Sequence, residues 1–147
     1  MKIFAETPWY VGGLAFECVQ CGRCCEGPEE GYVWVTADEI VAIADYLRVP
    51  EDQVRKKYVR RVAAGRYSLV ERRDNRDCVF LRPDAGGRRR CAIYPVRPVQ
   101  CRTWPFWPTN LVNADMWAEA GRRCKGINRG ELIPFDDIEA RRLATRR

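Results

Sequence analysis

Four cysteines fall within eight consecutive positions near the start of the chain, in the segment ECVQCGRCCEG. Cys18, Cys21 and Cys24 recur at every third residue, and Cys25 follows directly. This spacing lets successive thiolates converge on one centre, and the same C-x2-C-x2-C run forms the loop of bacterial [4Fe–4S] ferredoxins, whose fourth ligand comes from elsewhere. Its first part, C-x2-C-G, is also typical of half a zinc ribbon. The motif therefore predicts a metal centre, with an iron–sulfur cluster (4Fe–4S) and zinc as the alternatives.

Four more cysteines lie far from this motif, and the chain contains no histidine. Without imidazole, a nitrogen-rich zinc site and a Ser-His or Cys-His catalytic pair are excluded. Thiolates select zinc, copper(I) or iron–sulfur clusters over hard ions. Eight thiolates could fill two four-cysteine sites, or four could hold one cluster. The predicted metal ligands are Cys18, Cys21, Cys24, Cys25, Cys78, Cys91, Cys101 and Cys124.

Adjacent side chains diverge from the backbone, which separates the last two cysteines of the motif. We therefore expect Cys24 and Cys25 to serve different centres, or one of them to lie outside the ligand set. With sulfur this abundant, the glutamates around the motif are not expected to be ligands.

The cellular compartment decides whether these cysteines are reduced thiols or form disulfides. Glu6, Thr7 and Pro8 interrupt the N-terminal segment where a signal peptide needs an unbroken apolar stretch, and no segment is apolar enough to span a bilayer. A cytoplasmic protein is expected, and the cytosol keeps thiols reduced. A structural disulfide framework is therefore the less favoured use of the cysteines.

The chain is basic, with 26 Lys and Arg against 20 Asp and Glu and a net charge of +6. Its arginine pairs are scattered and no basic-aromatic RNA motif is present, so nucleic acid is not the expected partner. A protein partner stays open, and no membrane association is predicted.

Arg97 and Arg102 flank Cys101, and we expect them to donate hydrogen bonds to thiolates or to a bound anion. The alternative is that they form a salt bridge or belong to a solvated face.

The elements that must position these residues are short. GYVWVT (31–36) predicts a strand, and Thr36 with Glu39 predicts a capping box at the start of a helix. A second helix is expected over 50–61, a hairpin around 84–87, and a helix near MWAEAGRRC (116–124). A helical tail is expected over 134–147. The predicted fold is α+β, a small single irregular domain over 1–147 organised around a cysteine metal-binding cluster, with its motif core at 16–125.

Several segments in this order are similar to one known family. They are FECVQCGRCCEG (16–27), YVWVTADEI (32–40), CVFL (78–81), CAIYPVRPVQCRTWPF (91–106) and Cys124. The chain resembles the CxxCxxCC (YkgJ-type) cysteine-cluster family of zinc- or iron-chelating domain proteins. Val79 and Trp104 depart from the expected Pro and Phe but leave the cysteines intact. The resemblance implies metal chelation by the eight cysteines and leaves the metal open.

The sequence thus predicts a metal-binding protein of unspecified cellular role. One alternative is an iron–sulfur-dependent redox or protein-modifying enzyme, although no nucleotide-binding loop or catalytic base is recognisable. Another is a zinc-stabilised interaction module. No catalytic residue is predicted.

Overall fold

A computed structural model describes residues 7–22 and 32–145 of the 147-residue chain. Those ranges hold short helices and strands, which confirms the predicted α+β class, whereas organisation around a cysteine cluster is not shown. The helices are α1 (Ala37–Leu47), α2 (Glu51–Tyr58), α3 (Val99–Thr103), α4 (Ala114–Arg123) and α5 (Phe135–Ala144). The strands are β1 (Leu14–Phe16), β2 (Val33–Val35), β3 (Val59–Val62), β4 (Arg66–Leu69), β5 (Leu81–Pro83), β6 (Arg89–Cys91) and β7 (Ile127–Ile133).

The described residues divide into two compact units. The first unit contains 7–19 and 105–145, with β1, β7, α4 and α5. The second contains 20–22 and 32–104, with the remaining elements. The single domain over 1–147 therefore stays a prediction.

In the first unit, β1 pairs antiparallel with β7, and the register shifts between Ala15 and Phe16. Phe106 is fully buried and stacks on Trp117 at 5.6 Å between ring centroids, while Phe16 meets its edge at 5.8 Å. These aromatic contacts give the unit a core that three-residue β1 could not build alone.

The α5 helix is tied to the start of the chain through Tyr10. The Tyr10 hydroxyl donates a hydrogen bond of 2.8 Å to Glu139, which also pairs with Arg142. Burial and this hydrogen bond raise the pKa of Tyr10 above its ordinary value. The hydrogen bond to Glu139 likewise raises the pKa of Arg142.

In the second unit, β2, β4 and β3 form an antiparallel sheet in that order. One face of this sheet contributes Val35 and Leu69 to a core that α1 and α2 cover. The helical period of α1 places Ile40, Ile43 and Ala44 in the same core.

The start of α1 confirms the predicted capping box. The Thr36 side chain accepts the Glu39 backbone N–H, and the Glu39 carboxylate accepts the Thr36 backbone N–H. The helix ends at Arg48, whose φ of 58° is in the left-handed region.

The second helix is shorter than predicted. It ends at Tyr58, and Val59–Val62 forms β3, paired with β4 over its whole length. The predicted helix is confirmed, but its predicted end at 61 is wrong, because β-branched Val59 and Val62 fit a pleated strand once β4 is available to pair with them. The predicted hairpin at 84–87 is confirmed between β5 and β6, where the Asp84 carboxylate accepts the backbone N–H groups of Gly86 and Arg88.

Among the described residues, no helix has both the length and the apolar character needed to cross a membrane.

Candidate metal centre

Six of the eight predicted ligands lie in the described residues, and all six are thiols. Cys18 is exposed, Cys21, Cys91 and Cys101 are partly buried, and Cys78 and Cys124 are buried. Cys24 and Cys25 lie outside the described residues. Within 7–22 and 32–145, no three Cys, Asp or Glu side chains are gathered closely enough to hold a metal ion. What the structure does bring together is the backbone segments that carry the cysteines.

In the first unit, the segment that carries Cys18 lies against the turn that follows Cys124. The Glu17 backbone N–H donates to the Gly126 carbonyl at 3.1 Å, and Phe16 pairs with Ile127. Cys124 ends α4, where its own N–H donates to the Ala120 carbonyl at 3.0 Å.

This contact depends on a glycine. A Cβ atom at Gly126 would lie 2.9 Å from the Glu17 carbonyl carbon and still closer to its oxygen. Only a residue without a side chain allows the backbone at Glu17 to approach so closely. Gly126 therefore lets the residue before Cys18 lie against the turn that follows Cys124.

In the second unit, Cys21 lies between two residues that contact the β5–β6 hairpin. The Gln20 side chain accepts a hydrogen bond from Arg90 at 3.5 Å. Gly22 has a φ of +79°, and a Cβ atom there would lie 2.8 Å from Leu81 and 3.1 Å from the Arg89 carbonyl oxygen. Both neighbours of Cys21 are thus held on this hairpin.

The same hairpin carries Cys91 and is joined to Cys78. Leu81 is opposite Cys91 in the β5–β6 register, and the Leu81 N–H donates to the Cys78 carbonyl at 2.9 Å. Asp77, which is 4% exposed, pairs with Arg89 of β6. A buried carboxylate needs such a partner, so this ion pair fixes the residue before Cys78 to the strand that ends at Cys91.

Cys101 lies on α3. The side chains of Gln100 and Glu39 form hydrogen bonds that join this helix to β2 and α1. The buried Gln100 amide accepts the Trp34 N–H at 3.0 Å and donates to the Tyr32 carbonyl at 2.9 Å, so it completes the edge of β2. The Glu39 carboxylate accepts the Val99 N–H at 2.6 Å.

The two arginines predicted to bind a cofactor donate to backbone carbonyls. Arg97 donates to Tyr94 at 3.0 Å and to Cys101 at 3.4 Å, and it stacks on the Tyr94 ring. Arg102 donates to the Arg97 carbonyl at 3.0 Å and lies 3.9 Å from the Glu39 carboxylate. Both therefore shape the backbone around Cys101, and their role toward a bound group stays a prediction.

Sequence reasoning missed most of the residues that position the cysteines. The spacing of Glu39 from Thr36 predicts its role as a capping residue. It does not predict the hydrogen bond that the Glu39 carboxylate accepts from the Val99 N–H. Gly126, Gln100 and Asp77 had no local signal, because each acts on a segment distant in sequence.

The Glu39 carboxylate gives a test of how α3 is held. In Glu39→Gln, the single amide oxygen can accept from Thr36 or from Val99 but not from both. One backbone N–H is left without its partner, which should lower the free energy of unfolding by roughly 1–3 kcal/mol in denaturant titrations. Asp38→Asn is the matched control, because Asp38 is exposed in the same helical turn. This substitution should lower the free energy of unfolding by less than about 1 kcal/mol. Equal losses in the two variants would show that Glu39 acts only on the dipole of α1.

One family model matches most of the chain. The model of the CxxCxxCC family, described as "Putative zinc- or iron-chelating domain", matches residues 17–125. The chain belongs to the CxxCxxCC family. The match begins at Glu17, which meets Gly126, and ends one residue after Cys124, so it includes all eight cysteines.

One curated relative of this CxxCxxCC chain is the uncharacterized protein MJ0661 of Methanocaldococcus jannaschii. It is 37% identical over 128 residues, which cover 83% of this chain and 63% of the relative. The chain therefore spans less than two thirds of that relative's length. No solved structure matches the chain.

Proposed function

We propose that this protein chelates a thiophilic metal, as an iron–sulfur cluster or as zinc, through its cysteine thiolates. One observation supports the proposal: the N-terminal segment that carries the cysteine motif lies against segments that carry cysteines from later in the chain. Glu17, the residue before Cys18, lies against the turn after Cys124, and the neighbours of Cys21 contact the hairpin that carries Cys91. A C-x2-C-x2-C loop needs such distant cysteines to complete its ligand set.

The donor set suits soft metals. A chain without histidine offers thiolates as its soft ligands, and these favour zinc, copper(I) and iron–sulfur clusters. The unbroken C-x2-C-x2-C run supports an iron–sulfur cluster, whereas closed four-thiolate sites would support zinc. A reducing compartment, for which we propose the cytoplasm, would keep the thiols available as ligands.

The two metals imply different roles. A cluster would supply one-electron redox chemistry and would favour an electron-transferring or protein-modifying activity. Closed zinc sites would contribute folding free energy without chemistry, and would favour an interaction module.

Metal and acid-labile sulfide analysis of protein purified without air tests the proposal. The expected result is iron with equimolar sulfide and a brown visible spectrum. Zinc in a colourless protein would support the zinc form instead. A folded chain that retains neither metal after purification and reconstitution with both would contradict the proposal.

A further inference from the structure

A cavity of about 260 Å³ lies in the second unit, where β2 ends and β4 and α3 begin. Its volume is just below the range of pockets that bind drug-sized molecules, so a smaller ligand would fill it. The walls combine aromatic, aliphatic and charged side chains. They include Trp34, Thr36, Glu39, Arg66, Tyr67 and Val99.

The Arg66 guanidinium lies over an aromatic ring at this cavity. Its guanidinium carbon lies 3.6 Å from the centre of the Trp34 ring, and Trp34 in turn stacks on Tyr32 at 4.8 Å with an interplanar angle of 11°. A guanidinium held over an aromatic face is attracted by the ring and can still donate its N–H groups to an anion. Arg66 is exposed and forms no ion pair with a carboxylate in the described part of the chain.

The carboxylate of the cavity wall does not neutralise Arg66. One Glu39 oxygen accepts the Thr36 N–H at 2.9 Å, and the other accepts the Val99 N–H at 2.6 Å and lies 3.9 Å from Arg102. The charge of Glu39 is therefore directed at backbone donors and a second arginine. Arg66 is therefore the cation of the cavity lining, and aromatic and aliphatic side chains lie beside it.

We propose that this cavity binds a small organic oxyanion, a carboxylate or a phosphate monoester that carries a compact apolar body. The oxyanion pairs with the Arg66 guanidinium, and the body fills the space between Tyr67 and Val99. None of the proposed metal ligands lines this cavity, and the proposal does not rest on the metal.

The test titrates three probes into the full, metal-loaded chain and follows arginine side-chain N–H signals by NMR. The probes are benzoate, phenyl phosphate and inorganic phosphate. Benzoate, phenyl phosphate or both should bind with a Kd of about 1 mM, as small fragments do. Inorganic phosphate should bind more weakly, because it leaves the cavity unfilled. Which of benzoate and phenyl phosphate binds more tightly identifies the oxyanion as a carboxylate or a phosphate monoester.

Matched variants separate this site from general attraction by a basic protein. Arg66→Gln should weaken binding of the preferred ring probe at least about tenfold, since it removes charge-assisted hydrogen bonds. Arg61→Gln removes the same charge from an exposed residue of β3 that does not line the cavity, and should leave the Kd unchanged. Arg66→Lys keeps the charge without the planar fork, and should restore part of the affinity.

Three results would overturn the proposal: no shift of the Arg66 signal at 10-fold the expected Kd, equal weakening by Arg66→Gln and Arg61→Gln, or full affinity in Arg66→Gln. Thermal unfolding of each variant checks that the sheet remains folded.

Discussion

Cys21→Ser should reduce the metal content of the purified protein and lower the thermal stability of its metal-loaded form. Serine keeps the size of the side chain but offers no thiolate, so the affinity for a soft metal should fall at least about tenfold. Because metal binding contributes to the folding free energy, content and stability should fall together. Metal analysis and thermal unfolding of the same preparations measure both.

The metal-free proteins provide the decisive comparison. Cys21 is partly buried and serine is nearly isosteric, so wild type and Cys21→Ser should unfold at similar temperatures after the metal is removed. Val19→Ser is the control on the same segment, since Val19 is 42% exposed and carries no thiol. If Cys21→Ser retained the wild-type metal content, or if its stability loss persisted in the metal-free protein, Cys21 would be a structural residue and not a ligand.

The elements that were predicted correctly are those whose information is local. Thr36 and Glu39 are three residues apart, and the apolar residues of α1 repeat with the helical period, so the helix needs no distant partner to be recognised. The β5–β6 hairpin likewise has its turn residues within its own loop. Local propensity and tertiary structure agree at these positions.

The elements that were missed depend on distant partners. β7 is exposed along most of its length and contains Gly130, so it lacks the alternation by which strands are recognised. Its partner β1 is distant in sequence, since Phe16 pairs with Ile127 and Leu14 with Ile133. β3 continues from α2 without a break, and pairing with β4 decides its conformation. Strand pairing of this kind is fixed by tertiary contacts that propensity does not contain.

The candidate site shows the same division. The cysteines were identified from residue type and spacing, whereas the contacts that place them were not. Gln100 substitutes for a neighbouring strand along the edge of β2, and no feature of its sequence surroundings indicates this. Gly126 resembles any other turn glycine until Glu17 is seen to lie against it.

Gly126→Ala should therefore destabilise the protein strongly. The new methyl group would meet the backbone carbonyl of Glu17, which cannot rotate away as a flexible side chain could, and it would also press on the Phe16 ring at 3.1 Å. Relief requires β1 to separate from the start of β7. Overpacking of this kind costs about 3 kcal/mol, at the upper end of the usual range, because the obstacle is main chain. Denaturant titration of the metal-free protein measures this loss.

Gly12→Ala is the matched control in the same unit. A Cβ atom at Gly12 has no neighbour within 4 Å, so this substitution should change the free energy of unfolding by less than about 0.5 kcal/mol. The comparison extends to the metal, because separating Glu17 from Gly126 also moves Cys18 from the turn after Cys124. At a temperature where Gly126→Ala is still folded, its metal content should be reduced and that of Gly12→Ala should not. A destabilised but fully metal-loaded Gly126→Ala protein would show that the contact between these segments serves the fold alone, and that Cys18 and Cys124 need not be held together to bind the metal.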